Sequence, residues 1–525
     1  MRKKYKTLCL ASALLVQIFM ILPLTYAANY PLSITNIEAT GSMNRIRFAY
    51  PGLEYSFYVA ARGGSYPYTY ELAEAPSGLY IDKKTGQVVW SNPLERTTPY
   101  SVTVRITDSE GISVSESWSV RVSKNNFFFV DAINGTSRLN GGNGSISNPW
   151  KNIEDFYLGE ADSTFAGAII YFRRGTYTLW HEPGTNNNER GQGSDRIPFT
   201  SNKPIAYLAY PGENPVMNLE CNGNTGKHFW LANANNFFFQ GLSFQNIWNY
   251  ALEIANSKFL TVIDCNFNGL NCATNYSNQA HLAGFGYDSF TNNLVVIGNT
   301  FDGAGTGGSW KTGLKAYGYY YSVIERNRIT NMDDHGVSIK GSSDYNTIRG
   351  NIIRNCNVGI GSAGYEHTNN NEYCFNLIQG SNIPLYFNDS GTIANTYIYN
   401  NTTDTSPPRF RILETDDRPF VVYKNIFINN ATDSSTFGEE FYRNKCRFQY
   451  LASGQEQVIY QNNFIFNNNL LLSDSDGVLD SNGLLTGAYS QYEDSYGWSA
   501  VSKNQATDTE KPAAPSGVTI ENAIL

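Results

Sequence analysis

The stretch Val323 to Ile353, VIERNRITNMDDHGVSIKGSSDYNTIRGNII, carries its own repeat: an apolar-x-Asn-x-apolar pattern at Asn327–Ile329 returns at Asn351–Ile353. Extended both ways, its central position falls at Leu242, Cys265, Asn299, Asn327, Asn351, Asn376, Asn400, Asn425 and Asn462. Two residues later come Phe244, Phe267, Phe301, Ile329, Ile353, Ile378, Thr402, Phe427 and Phe464. The commonest step is about 24–25 residues, one turn of a parallel β-helix, in which each rung stacks its inward side chains on its neighbours'. Stacked asparagines can hydrogen-bond along the axis while the apolar column fills the core. A propeller or a leucine-rich repeat needs a longer period or a Leu-rich consensus, and neither is present.

Three steps are longer: Cys265 to Asn299, Asn299 to Asn327, and Asn425 to Asn462. Insertions in a solenoid leave the stack as loops, often beside the binding face. The first two carry Tyr276, His281, Tyr287, Asp302 and Trp310 and are read as one wall of a cleft.

Within each rung another strand precedes the ladder strand, and alternation tells which side chains leave the core. Apolar neighbours turned inward leave one outward column: Trp230, Glu253, His281, Lys315, Lys340, Gly361, Tyr386 and Arg411. Rungs spaced by about 4.8 Å match an extended glycan laid along the axis. Aromatics at the ends would stack on sugars, and cations between them would meet carboxylates or sulfates. Outward positions of any solenoid are polar, so solvation alone accounts for some of these residues.

Working outward, the chain begins with Arg2, Lys3, Lys4 and Lys6, then an apolar run from Leu8 to Leu24 ending at Thr25-Tyr26-Ala27. That is the pattern of a secretory signal peptide, residues 1–27. The run is broken by Gln17 and Pro23 and no second segment of spanning length follows, so no membrane span is expected. A secreted or cell-surface monomer is the expectation. The 525 residues are rich in Asn, Gly, Ser, Thr and aromatics, which favours an all-β fold, and a net charge of -8 argues against a nucleic-acid partner. Beyond Cys9, the six cysteines Cys221, Cys265, Cys272, Cys356, Cys374 and Cys446 form no zinc-like cluster and are expected to mix disulfides with buried thiols.

Residues 28–123 read as short alternating strands with turn punctuation, a small β-sandwich. The string SGLYIDKKTGQVVWSNP, followed by YSVTVRITDSEG and WSVRV, resembles the Ig-like, cadherin-like modules of secreted bacterial proteins. Such modules imply spacing or adhesion rather than chemistry. The following FFFVDAINGTSRLNGGNGSISNPWKNI resembles the opening of pectate-lyase-like right-handed, single-stranded parallel β-helix proteins. The expected β-helix spans 124–480, and 481–525 form a cap and tail.

The densest chemistry is NMDDHGVSIKGSSDYNTIRGN, with Asp333, Asp334, His335 and Lys340 on one rung. Asp-Asp followed by Ile-Lys resembles the acidic motif of polygalacturonase-type glycosidases, where paired carboxylates protonate the leaving oxygen and activate water. The neighbouring rungs depart from that family: Lys311-Thr312-Gly313-Leu314 replaces a further Asp, and Asn357-Val358-Gly359 replaces Gly-His-Gly. Asp and Asn at rung corners also simply make turns.

Similarity to the polysaccharide lyases of the pectate-lyase-like superfamily implies β-elimination: a cation or Ca²⁺ neutralises the uronate carboxylate and a basic side chain removes the C5 proton. Lys340 is the favoured base, with Lys315 beside it lowering its pKa by like charge. Arg411 or His281 would hold the carboxylate and Tyr386 would return a proton to the leaving oxygen. Trp230, Glu253, Trp310 and His335 are expected to bind substrate, and Asp333 and Asp334 to offer oxygens to Ca²⁺. The leading expectation is a lyase acting on an acidic polysaccharide. An inverting glycosidase using Asp333 or Asp334, and a non-catalytic glycan-binding surface protein, are the alternatives.

Overall fold

The structure is a computed structural model that describes residues 30–37, 45–157, 167–178, 194–198, 205–221, 226–232, 234–270, 279–284, 290–304, 310–362, 367–388, 393–404, 408–411 and 420–428, with short pieces at 450–451, 455–456, 464–467, 470–472, 479–486, 490 and 496–498. The signal-peptide reading (1–27) and the end of the chain lie outside them.

Each rung gives one strand to each of three parallel sheets, as in Val323–Glu325, Arg328–Thr330 and His335–Lys340. Among the described residues the first sheet has 12 strands, the second 11 and the third 9. The chain turns from first to second sheet through a single residue of positive φ, at Gly298, Arg326, Gly350 and Phe375 in successive rungs. The ladder asparagine follows it. Its Oδ1 accepts the backbone N–H and the Nδ2 of the preceding ladder asparagine, from Asn299 to Asn327, Asn351, Asn376, Asn401 and Asn425, at 2.9–3.0 Å. The buried amides are thereby satisfied within the core.

Beside this ladder the rings of Phe244, Phe267 and Phe301 stack with centroids 4.7 and 4.8 Å apart, and Ile329, Ile353 and Ile378 continue the column. Each such side chain contributes about 1.5–3 kcal/mol by burial.

Two ladder assignments need correction. Asn401, not Asn400, occupies the ladder, and Thr403, not Thr402, pairs with Phe427. Phe464 pairs with Phe420 in the first sheet, and the partner of Phe427 in the second is Leu471, so Asn462 and Phe464 do not continue the column. Runs of adjacent asparagines offer several registers to the same pattern. Cys221 is disulfide-bonded, whereas Cys265, Cys356 and Cys374 are free and buried.

The N-terminal sandwich, with one four-stranded and one three-stranded sheet, lies on the outward face of the first helix sheet. Phe57, Trp118 and Val120 belong to one apolar cluster with Phe129, Tyr171, Leu208, Phe238, Ile297 and Val323. Charge crosses the same contact. Arg349 donates to Glu325 (2.7 Å) and to the Ala61 carbonyl (2.9 Å), and lies over the Tyr66 and Tyr68 rings. Arg326 donates to the Thr85 carbonyl at 2.9 Å. The module thus covers the outward face of the first sheet, and the third sheet keeps its own outward face.

Candidate active site on the third sheet

Third-sheet strands pair in register as Trp230, Glu253, Ala283, Lys315, Ser338, Gly361, Tyr386 and Arg409. This corrects the expected column at three places. Lys340 pairs with Tyr317, one outward row farther along its strand on the same face, and the Arg411 backbone pairs with Asn388, two residues past the Tyr386–Arg409 pair. Residues 338 and 340 both leave the core by alternation, and only the pairing distinguishes their rows.

His281 is the third departure. It is fully buried against the Phe267 and Phe301 rings, centroids 6.0 and 5.8 Å away, and the outward position belongs to Ala283. Burial pushes its pKa down to about 3. It is a neutral core residue and not a carboxylate-holding group. Glu253 is likewise no open substrate contact: its carboxylate is buried against His228 Nε2 at 2.8 Å. Trp230 and Tyr386 are half-buried on the row, in reach of solvent.

The central rungs gather the charge. Lys315 is buried, and desolvation, with the Lys340 charge beside it, pushes its pKa down to about 8. Lys340 is half-buried; burial lowers it while Asp334 holds it up. Asp334 has one oxygen 2.7 Å from His335 Nδ1 and the other taking the Thr312 hydroxyl at 3.1 Å. Those partners outweigh burial and keep its carboxyl below its ordinary range. His335 is buried and its pKa is lowered, chiefly by desolvation and further by Lys340 and Lys315, with Asp334 opposing. His335 Nε2 and Ser338 Oγ are buried with no hydrogen-bond partner among the described residues. Two lysines, a carboxylate and an imidazole in one low-dielectric patch can exchange protons near neutrality and hold an anion.

Residues 229–386 match the family model described as "Right handed beta helix region", and residues 40–123 the one described as "Putative Ig domain". The body of this chain is a right-handed parallel β-helix. No curated protein matches the sequence. Solved structures that match include the complex of XylC with xylose, at 12% identity over 67% of this chain and 87% of that one (TM-score 0.43). Pectate lyase Pel9A matches at 14% over 70% and 95% (0.30), and a family 28 exopolygalacturonase of Yersinia enterocolitica at 10% over 76% and 91% (0.33). Likeness at this level carries no argument about chemistry.

The right-handed β-helix separates Asp333 from Asp334 at the corner between second and third sheets. Asp333 accepts the Lys311 backbone N–H and lines a shallow groove of about 380 Å³ with Cys356, Asn357 and Asn382. Asp334 turns to Thr312 and His335. Calcium takes six to eight oxygens. Among the described residues no three His, Cys, Asp or Glu side chains gather to hold a metal, and Asp333 and Asp334 are bound to different partners. Trp310 is 61% exposed beside Lys311, outside the third-sheet rows. Tyr276 and Tyr287, and with them much of the expected cleft wall, lie outside the described residues, as does the Arg411 side chain.

Sequence reasoning underrated Lys311, whose amine is buried near Asp333, and Thr312, which holds Asp334. Both precede the apolar alternation of their strand, so no periodic signal marks them. The Asp-His adjacency was visible, but not that its two ends would be bound to each other.

Proposed function

We propose that this protein cleaves an acidic, uronate-containing polysaccharide by β-elimination on the outward face of the third sheet. The observation that carries the proposal is the pair of adjacent lysines, Lys315 and Lys340, sunk into that face beside Asp334 and His335. Elimination next to a carboxylate needs positive charge on the carboxylate and a group that moves a proton at neutral pH. Lys340, nearer solvent and kept charged by Asp334, suits the carboxylate. Lys315, near 8, can part with or take a proton. The rows run along the helix axis at strand spacing of about 4.8 Å, so consecutive sugars of an extended chain can meet consecutive rungs. Asp334 is held ionised and doubly bonded, which does not suit the protonated acid of a glycosidase.

A panel of uronate polymers followed by ultraviolet absorbance tests this, because only elimination creates the unsaturated product. We expect product from the wild type and a loss of at least about 100-fold with Lys340→Ala. Full activity in that variant, or reducing ends formed without absorbance, would refute the eliminative assignment. Binding without any product would leave a glycan-holding surface. A chelator arm reads the calcium expectation separately.

A further inference from the structure

We propose that His335, held by Asp334, is the base of this site, its Nε2 taking the C5 proton of a bound uronate. This rests on the eliminative function proposed above and replaces Lys340 as the expected base. Asp334 Oδ1 lies 2.7 Å from Nδ1, and Thr312 fixes the carboxylate's other oxygen. An ionised carboxylate at Nδ1 selects the tautomer with the proton there, leaving a lone pair on Nε2. That atom has no partner among the described residues. The ring lies across Gly361, where a Cβ would come within 2.4 Å of Cδ2 and 2.6 Å of Nε2. A glycine on an outward row is otherwise a poor strand residue, and here it makes room for the imidazole.

The charged groups around the ring are Asp334 and Lys340 from its own segment and Lys315 from the preceding strand. Gly361, on the following strand, brings none. Burial and the two lysines keep the ring neutral, as a base requires, while Asp334 stabilises the imidazolium once formed. In the step, the C5–H bond breaks as Nε2–H forms, its electrons make the C4–C5 double bond, and the C4–O bond breaks. The leaving oxygen takes a proton from the Lys315 ammonium. Lys340, on the same face, takes the substrate carboxylate. Later transfer of the imidazolium proton to water and re-protonation of Lys315 restore the site.

The full-length protein, assayed on the uronate polymer that the wild type cleaves, tests this. His335→Gln is expected to lower kcat by about 100-fold or more with KM little changed. Asp334→Asn removes the group that raises the imidazole pKa, so the acid limb of the pH profile should move to lower pH as kcat falls. The alkaline limb, set by Lys315 near 8, should move the same way, because the Asp334 charge also holds the Lys315 pKa up. Nitrogen NMR of histidine-labelled wild type should show the Nδ1–H tautomer for His335, assigned by its loss in His335→Gln. An undiminished rate in His335→Gln, an unmoved acid limb in Asp334→Asn, or the Nε2–H tautomer would each overturn the dyad's role while leaving elimination standing. Absence of unsaturated product from the wild type would overturn both.

Discussion

At the residue scale, one missing side chain does as much for the candidate site as the charged ones. Gly361 shares a row with Ser338 and Tyr386, and the His335 ring occupies the space its Cβ would take. Its φ is not among the positive ones, so alanine meets no backbone objection there. Gly361→Ala should therefore still fold, at a cost of about 1–3 kcal/mol for the displaced ring, and lose activity by about 10-fold or more, because the imidazole is pushed off its Asp334-held position. Circular dichroism melting beside the elimination assay separates the two effects. Retained activity would mean that the ring's seat does not matter. The sequence shows Gly361 as outward, from Ile360 turned in, but nothing in the string shows a histidine from the previous rung lying over it. The same limit explains His281. Alternation marks it as a neighbour of inward Leu282, yet its ring turns into the corner beside Phe267 and Phe301, in a column otherwise filled by Gly313, Gly336 and Gly359.

At the scale of the element, the asparagine ladder fixes the rungs on which the third-sheet rows depend. Asn351 sits in its middle: its Oδ1 accepts from Asn327 N and Nδ2, and its own amide donates to the Ile324 carbonyl and to Asn376. Asn351→Ala leaves the buried Asn327 N–H without its acceptor, and each such loss costs about 1–3 kcal/mol. A destabilisation of roughly 2–4 kcal/mol in urea unfolding is the expected result, and a change below about 1 kcal/mol would show that the ladder is not what holds the rungs. The ladder was legible because one residue type recurs at one interval. It failed at Asn400, whose neighbour Asn401 is identical and so carries no register information, and at Asn462, where the same pattern precedes a first-sheet strand instead of a second-sheet one. The third-sheet rows were half legible for a related reason: alternation gives the face, but pairing between strands gives the row, and that depends on loop lengths between rungs.

At the scale of the whole molecule, the Ig-like module works as a cover for the β-helix. The first sheet turns Phe129, Tyr171, Leu208, Phe238, Ile263, Val295 and Ile297 outward into the module's own core cluster. Such a contiguous apolar face needs a cover in water. Arg349 and Glu325, both fully buried, rely on the Ala61 carbonyl and on Tyr66 and Tyr68 to complete their surroundings. A buried pair stripped of its partners is strongly destabilising, by about 3–5 kcal/mol. Composition and strand spacing identified both units but carried no sign of this contact, because outward apolar residues of a solenoid look the same in sequence whether they face solvent or a neighbour. The two units should therefore melt together. Calorimetry of the full-length protein should show one main transition, and Ile297→Asp, which places an unpaired charge in the contact, should lower the whole of it by several degrees. Two well-separated transitions, with only the smaller one moved by Ile297→Asp, would instead make the module an independent appendage and return it to the spacer or adhesion role read from its sequence.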